Sequence, residues 1–482
     1  MTNRTLPVAV VVAVVAVVWA TVAGLPLLSE SYTQLALVQR FASPADAFDP
    51  QLVPFRPLQH LTFHWFERFA AGAPAVGRAF TFGLHALAAC LVFAIVRRLG
   101  GLARGAWVAM LLFLAFPTAK GLTWVAAVSG PGRTACLLWI VWATIAYTQR
   151  PTRGLGVALV AVFAVALGFH QSSIVAPAIF GLGIVCLTEG NLRERLRAVV
   201  ALARRPSIVG FALFAVGYFL YVGTLQNRSY HGIVQPGAIA ANVARAALAL
   251  APEWVRLPAL EGLRDAEAPL GFVLGAVAVA GMLGLWALGL WRGRAEGKWL
   301  LLAIPLDLAL PILTTGFVGR YAYFAAALLA IVLGLRFAHS GPGRAGLVQR
   351  LLIGVLAVAW AVDHVVDVRE LRQAGAIAEQ LLADATAARA AAPAGATIAL
   401  IDAPDHVGRE DDIPLFNWGL AEALARRGVP GPWRLLRVDA CWTTSDHRAL
   451  REEDLPAALA EPGLLVLRYD AGHRTFAAFR PR

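Results

Sequence analysis

Charge is scarce in this chain: Asp, Glu, Lys and Arg make up 15% of its 482 residues against 59% hydrophobic ones, and mean hydropathy is +0.65. So small a polar share excludes a soluble globule of this length and leaves a polytopic membrane protein. Cysteine is nearly missing. Of the four present, Cys90, Cys136 and Cys186 fall inside apolar runs and Cys441 stands alone in the C-terminal part, so there is neither a disulfide framework nor a zinc spacing. No stretch repeats at a fixed period, which withdraws support from a transporter built of two related halves. Acids are the scarcer charge, 30 against 42 Lys and Arg. The resulting +12 sits mostly in loops between apolar runs, so membrane lipid headgroups, and no nucleic acid, are the expected partner.

What the chain has is apolar runs. Residues 7–28 (PVAVVVAVVAVVWATVAGLPLL) are long enough to cross about 30 Å of hydrocarbon. The run is longer than the core of a signal peptide, so it reads as a retained span. Further runs lie near 78–97, 105–118, 131–148, 154–169, 173–188, 206–225, 269–291, 298–316, 319–337 and 347–366, which gives about eleven spans. The two around His170 are short, and a broken or re-entrant pair is the alternative. With the N-terminus cytoplasmic, clusters such as Arg193, Arg195, Arg197, Arg204 and Arg205 fall in inner loops, as the positive-inside tendency requires. Eleven spans then place the C-terminal part outside a bacterial plasma membrane, and Glu30 with it.

Three regions lie outside the spans. The loop 29–77 begins polar and turn-rich (ASPADAFDPQ) and becomes the aromatic stretch PFRPLQHLTFHWFERF, read as one or two helices in the membrane interface. The loop 226–268 holds a short helix at 238–251 and is placed as a lid. Residues 367–482 turn abruptly polar: helical spacing over 370–391 and 415–427, with strand-like runs at 396–402, 433–439 and 463–469, predicts a small extracytoplasmic α/β domain, its last strands pairing around Asp470-Ala471-Gly472. The fold class is therefore an all-α polytopic membrane protein, residues 1–366, with a soluble α/β domain over 367–482.

Four stretches, in order, carry a family resemblance. They are Ser29-Glu30-Ser31-Tyr32; Phe55-Arg56-Pro57-Leu58 with Leu84-His85-Ala86-Leu87 and Arg97-Arg98-Leu99; Phe116-Pro117 with Trp124-Val125-Ala126 and Gly130 to Arg133; and Gly319-Arg320-Tyr321-Ala322-Tyr323. Together they resemble the integral-membrane GT-C glycosyltransferases, in the bacterial branch near the TMTC-like proteins and protein mannosyltransferases. The resemblance implies a GT-C-like fold, a lipid-phosphate-linked sugar as donor, a site at the outer membrane face, and an acidic residue in the first outer loop as catalytic group. The chain departs from it in two places. Where the family carries two adjacent Asp it has Glu30 and Ser31, which disfavours a divalent metal, since such an ion wants several oxygens. Where the family often has Lys-Glu it has His170-Gln171, which puts donor binding there in doubt.

Glycosyl transfer needs a base for the acceptor hydroxyl and cations or dipoles for the leaving phosphate. Glu30, at the end of the first span, suits the first role; a solvated rim carboxylate or a helix cap is the alternative. Arg320 suits the second, since a guanidinium binds phosphate bidentately, and snorkelling to headgroups is its alternative. Arg56 and His60, four apart, share a helix face and are candidates for donor phosphate or acceptor, against a plain amphipathic anchor. Tyr32, Lys120, Arg133, His170, Gln171 and Tyr321 complete the substrate-binding candidates; interface anchoring accounts equally for Lys120 and Arg133. His85 reads more readily as a hydrogen-bonded residue inside the bundle. Asp402, Asp405, Asp411 and Asp412 match no calcium-loop spacing and read as solvated. The preferred reading is a glycosyltransferase moving sugar from a polyprenyl-phosphate donor to a glycan, lipid or protein acceptor. A transporter or flippase of lipid-linked glycans, centred on Asp307 and Asp363, and a catalytically degenerate GT-C-like scaffold stand as alternatives.

Overall fold

The computed structural model describes residues 5–49, 56–203, 205–225, 236–264, 269–314, 319–409, 413–416, 418–438, 448–460 and 463–479. The helices are α1 (Thr5–Val22), α2 (Glu30–Val38), α3 (Pro57–Ala70), α4 (Pro74–Arg98), α5 (Ala103–Ala115), α6 (Ala119–Thr123), α7 (Ser129–Gln149), α8 (Arg153–Phe169), α9 (Ala176–Leu187) and α10 (Leu192–Ala203). Then come α11 (Pro206–Leu225), α12 (Pro236–Leu248), α13 (Glu253–Arg264), α14 (Pro269–Arg292), α15 (Ala295–Thr314), α16 (Tyr323–His339) and α17 (Arg344–Ala391). Every apolar run read from the sequence carries one of these helices. By length and composition four helical stretches among the described residues can cross a membrane: Pro74–Arg98, Val125–Gln149, Phe272–Arg292 and Arg344–Ala391. Shorter apolar helices, α1, α5, α8 and α16 among them, pack beside these. α14 shows what faces lipid, with Phe272, Leu274, Val277, Leu285 and Trp291 all exposed on a helix that has no other apolar phase to hide them in.

Small residues bring the bundle's centre together. α5 crosses α16 where Gly105 meets Gly334: a Cβ on Gly334 would lie 2.5 Å from the Gly105 carbonyl oxygen and 2.6 Å from the Ala109 side chain. Ala109 and Ala338 extend the seam at four-residue spacing, the pattern by which helices approach closely where lipid offers no hydrophobic drive. The pair around His170 is two helices that meet in a turn: α8 ends at Phe169, a 3-10 turn covers Gln171–Val175, and α9 (from Ala176) runs back, Ser172 lying by Arg133 of α7 while the Ile179 carbonyl accepts from Trp299 of α15.

The expected boundary at 366 is crossed without a break, because α17 runs on to Ala391. Its first half faces lipid and its second half buries Leu371, Ala374, Ala378, Leu381, Leu382 and Ala385 against Leu400, Leu435, Leu467 and Phe476 of the C-terminal sheet. That sheet consists of β1 (Ile398–Ile401), β4 (Trp433–Val438), β5 (Arg448–Leu450), β6 (Leu465–Asp470) and β7 (Thr475–Ala478); β2 (His406–Val407) and β3 (Ile413–Pro414) pair separately. The order is β5-β4-β1-β6-β7, parallel except for the antiparallel β6–β7 hairpin. The turn at Asp470-Ala471-Gly472 therefore joins β6 to β7, while β4 pairs with β1. The expected helix at 415–427 shortens to α18 (Leu420–Arg426), since a left-handed Gly419 starts it, and α19 (Leu455–Ala458) is a single turn. The lid loop holds two helices, α12 and α13, separated at Ala251-Pro252.

Ion pairs seat this domain on the bundle. Arg426 grips Glu67 of α3 with both carboxylate oxygens, at 3.2 and 2.9 Å, and Arg427 pairs with Glu379 of α17. Burial would raise the Glu67 carboxyl, but hydrogen bonds from Arg426 and Gln39 outweigh it and hold the group below the usual glutamate range.

Candidate active site

Glu30 sits in a tight turn made of strained backbone. α1 ends at Val22, and the chain turns back through Leu28-Ser29-Glu30-Ser31, where the Ser31 N–H donates to the Leu28 carbonyl at 3.1 Å. Ser29 occupies the second position of this turn with φ 45° and ψ −127°, a conformation that glycine takes freely and a side chain resists. It persists because its surroundings over-determine it. The Ser29 N–H donates to the Leu415 carbonyl of the C-terminal domain at 2.9 Å, and the Ser31 hydroxyl accepts the Ala126 N–H at 3.2 Å. Further back, the fully buried Arg78 donates to the carbonyls of Ala23 (3.2 Å), Leu25 (2.5 Å) and Pro26 (2.5 Å) and, through Nε, to Thr123 (3.1 Å). It ties the end of α1 to the end of α6.

The turn delivers Glu30 to the wall of a cavity of about 580 Å³, at the end of the bundle capped by the C-terminal domain. The volume falls within the roughly 300–1,000 Å³ of ordinary small-ligand sites. Of the residues singled out in the sequence, Glu30, Arg56, Lys120, Arg133, His170 and Tyr321 line it, so residues up to 291 positions apart in sequence converge on one space (from Glu30 to Tyr321). Arg320 lies in the 3-10 turn Gly319–Ala322; its side chain is outside the described residues, as are Asp411 and Asp412.

Four candidates do not reach the cavity. Tyr32 is buried between α2 and the C-terminal domain, where burial pushes its phenol up to about 12. His60, in the first turn of α3, is buried and does not line the cavity, whereas Arg56, the residue before that helix, does. His85 stands one layer behind, its Nδ1 2.5 Å from the Tyr323 hydroxyl and its ring against Phe113, and Tyr323 is the residue that lines the cavity. Gln171 does not line it, while His170 does: its Nδ1 accepts the Ser172 N–H at 3.2 Å, so a neutral ring carries its proton on Nε2.

Five of the six cations in the wall fall into two kinds. Lys120 lies 3.3 Å from Asp367 and 2.8 Å from Glu370; Arg133 is paired with the buried Asp307; and Arg409 bonds Glu370 and Glu253, each at 2.6 Å. These three are held by carboxylates. Arg56 and Arg245 line the cavity half-buried, and among the described residues neither has an ion-pair partner. Asp307 and Asp363, the expected mid-span carriers of a transporter, are both engaged, the first by Arg133 and the second by the Glu253 N–H at 2.8 Å. In the C-terminal domain Asp402 holds Arg468 at 3.0 Å and Asp405 holds Arg437.

Reading the sequence missed Arg245 and Arg256 of the lid helices and Arg409 and Asp367 at the domain junction. The arginines of the lid loop were visible as residues, and only the fold shows which turn inward. Position 31, where a second acid was looked for, is fully buried and its hydroxyl is turned to the Ala126 amide, so it does not face the cavity. Among the described residues no three His, Cys, Asp or Glu side chains converge as a ligand set.

No family model and no curated protein sequence matches the chain. Among solved structures it is similar to the crystal structure of ArnT from Cupriavidus metallidurans bound to undecaprenyl phosphate, with TM-score 0.47 and 15% identity over 97% of this chain and 94% of that one. The apo state of the same protein gives TM-score 0.48 and 16% identity over 97% and 93%.

Proposed function

We propose that this chain is a membrane glycosyltransferase that moves a sugar from a polyprenyl-phosphate donor to an acceptor hydroxyl at the outer face of a bacterial plasma membrane. The observation that carries the reading is the joint placement of Glu30, Arg56 and Arg245 on one cavity at the domain-capped end of the bundle, together with the ordered motifs that resemble GT-C enzymes. The N-terminus is then cytoplasmic and the C-terminal domain extracytoplasmic.

The chemistry follows from what the wall offers. The acceptor oxygen attacks the anomeric carbon as its proton passes to the Glu30 carboxylate, and the bond from that carbon to the phosphate oxygen breaks. The sugar configuration inverts. The departing phosphate gains one negative charge, and the guanidinium groups of Arg56 and Arg245, without an ion-pair partner among the described residues, are suited to hold it bidentately, with Arg320 as the third candidate. Charge stabilisation by arginine replaces a metal ion in this scheme, and activity should survive EDTA.

The test is Glu30→Gln, which keeps the shape and removes the base. With the protein in detergent micelles and a panel of polyprenyl-phosphoryl sugars, release of polyprenyl phosphate should fall by about 10²–10⁴-fold, while binding of undecaprenyl phosphate persists. Turnover near that of the parent would overturn the base role.

A further inference from the structure

The C-terminal domain touches the Glu30 turn at its most strained point. The Ser29 N–H ends on the Leu415 carbonyl at 2.9 Å, and Leu415, fully buried, follows directly on β3, where its own N–H donates to the Asp405 carbonyl at 2.7 Å. Four residues on, Gly419 takes φ +82°, and a Cβ there would lie 2.7 Å from the Ser29 carbonyl oxygen, 3.0 Å from the Thr33 hydroxyl and 3.2 Å from the Tyr32 Cβ. Leu415 and Gly419 thus meet the first turn of α2 from two directions. One backbone bond holds Ser29 in a left-handed conformation, and a missing side chain allows the approach.

We infer that the C-terminal domain is a positioning element of the active site: through the Leu415 carbonyl and the close approach at Gly419 it fixes the Ser29 backbone and so aims Glu30 into the cavity. The inference rests on the transferase reading for its catalytic consequence, and on the geometry alone for its structural one. Ser29 cannot keep φ 45° by its own preference, since such a conformation costs roughly 1–3 kcal/mol. If the domain lets go, the turn relaxes and the carboxylate moves with it. A displacement of about 1 Å at a reacting group is enough to cost on the order of 10²-fold in rate.

Gly419→Ala tests this, with Gly428→Ala as its matched control. Gly428 closes the same helix with φ +73°, and a Cβ there meets nothing within 4 Å. Both variants carry left-handed strain in α18, but only the first pushes on Ser29. Amide exchange of the peptide covering 27–34, followed by mass spectrometry on the full chain in micelles, should quicken at least about tenfold in Gly419→Ala and stay at the parent rate in Gly428→Ala. The kcat for polyprenyl-phosphate release should fall at least about thirtyfold in the first variant, with the KM for the donor within about threefold, and neither should change in the second.

Parent-like exchange in a folded Gly419→Ala overturns the inference, as does equal damage from both variants, which would mark mere loss of domain stability. Should Gly419→Ala not fold, Phe416→Leu, which trims the buried ring beside Leu415, is read by the same two measurements. A parent protein that releases polyprenyl phosphate from no sugar donor refutes the transferase reading, and the exchange rates still decide the positioning claim.

Discussion

The pair formed by Arg133 and Asp307 offers the sharpest energetic test of the bundle. The two side chains are 9% and 1% exposed, and they join α7 to α15 beside the cavity. Each ion loses several kcal/mol of hydration on burial, and only good geometry with further hydrogen bonds offsets it. Here the compensation is partial, because Arg133 Nε and Asp307 Oδ2 have no hydrogen-bond partner among the described residues, and the contact from Arg133 to the Ser172 carbonyl is long at 3.5 Å. Asp307→Leu leaves a guanidinium buried with that one weak acceptor, which should cost about 3–5 kcal/mol. At about 2 °C per kcal/mol for a large domain, the melting midpoint drops by roughly 6–10 °C. Arg133→Met alone strands the carboxylate and should cost a similar amount. The double variant Arg133→Met/Asp307→Leu should recover most of the loss, since apolar replacement of an imperfect buried pair is often neutral. Melting of all four proteins by intrinsic fluorescence in one detergent closes the cycle. Additive losses in the double variant would mean the two groups do not depend on each other and would refute the argument.

Other consequences are quickly stated. Gly334→Val should separate α5 from α16, because its first carbon already meets the Gly105 carbonyl; expression as a folded protein should fall sharply, with no loss for Gly341→Val at an open position. Arg56→Ala and Arg245→Ala should each weaken binding of undecaprenyl phosphate by about tenfold, as expected for one lost charge-assisted contact, whereas Arg104→Ala, bonded to the Ala338 carbonyl away from the cavity, should not. Because the folded Glu67 carboxyl lies below its ordinary value, its bond to Arg426 contributes stability that is fully present above pH 4.5 and is lost as the pH falls through the lowered value. Limited proteolysis between pH 5 and about 3 should therefore show the C-terminal domain loosening towards the acid end, and Glu67→Gln should flatten that trend.

The helices were legible because a lipid solvent leaves a simple signal: runs of apolar residues of sufficient length, which mark α1, α4, α7, α14 and the first half of α17. What composition could not show is that a change of solvent need not be a change of backbone. At 367 the sequence turns polar, yet α17 continues for another 25 residues, from Asp367 to Ala391, with alanine-rich turns and no proline to stop it. The cavity was half legible. Glu30, Lys120, Arg133 and His170 could be picked out as polar residues at span ends, where such groups must find partners, Arg56 from the amphipathic interfacial stretch, and Tyr321 from its motif. Arg245, Arg256 and Arg409 could not, since in loops and soluble domains arginine is ordinary, and only packing decides which of them turns inward. The same reason applies to His60, singled out by its spacing of four from Arg56, and to Tyr32, singled out by its motif: both are buried and neither lines the cavity.

The pairing pattern narrows what the wall can do for an anionic substrate. Arg56, Lys120, Arg133, Arg245, Arg256 and Arg409 outnumber the acids of the lining, Glu30, Glu261 and Asp367. In the fold, Lys120 and Arg409 share Asp367, Glu370 and Glu253, two cations facing three carboxylates, and Arg133 is neutralised by Asp307. A phosphate approaching that side meets no net positive field, because each ion is already matched at hydrogen-bond distance. Arg56, just before α3, and Arg245 of α12 are different, since among the described residues neither has an ion-pair partner. A lipid phosphate is therefore expected at Arg56 and Arg245 and not at the paired cations. The paired side, built from α6, α17 and Arg409, keeps the domain junction closed over it.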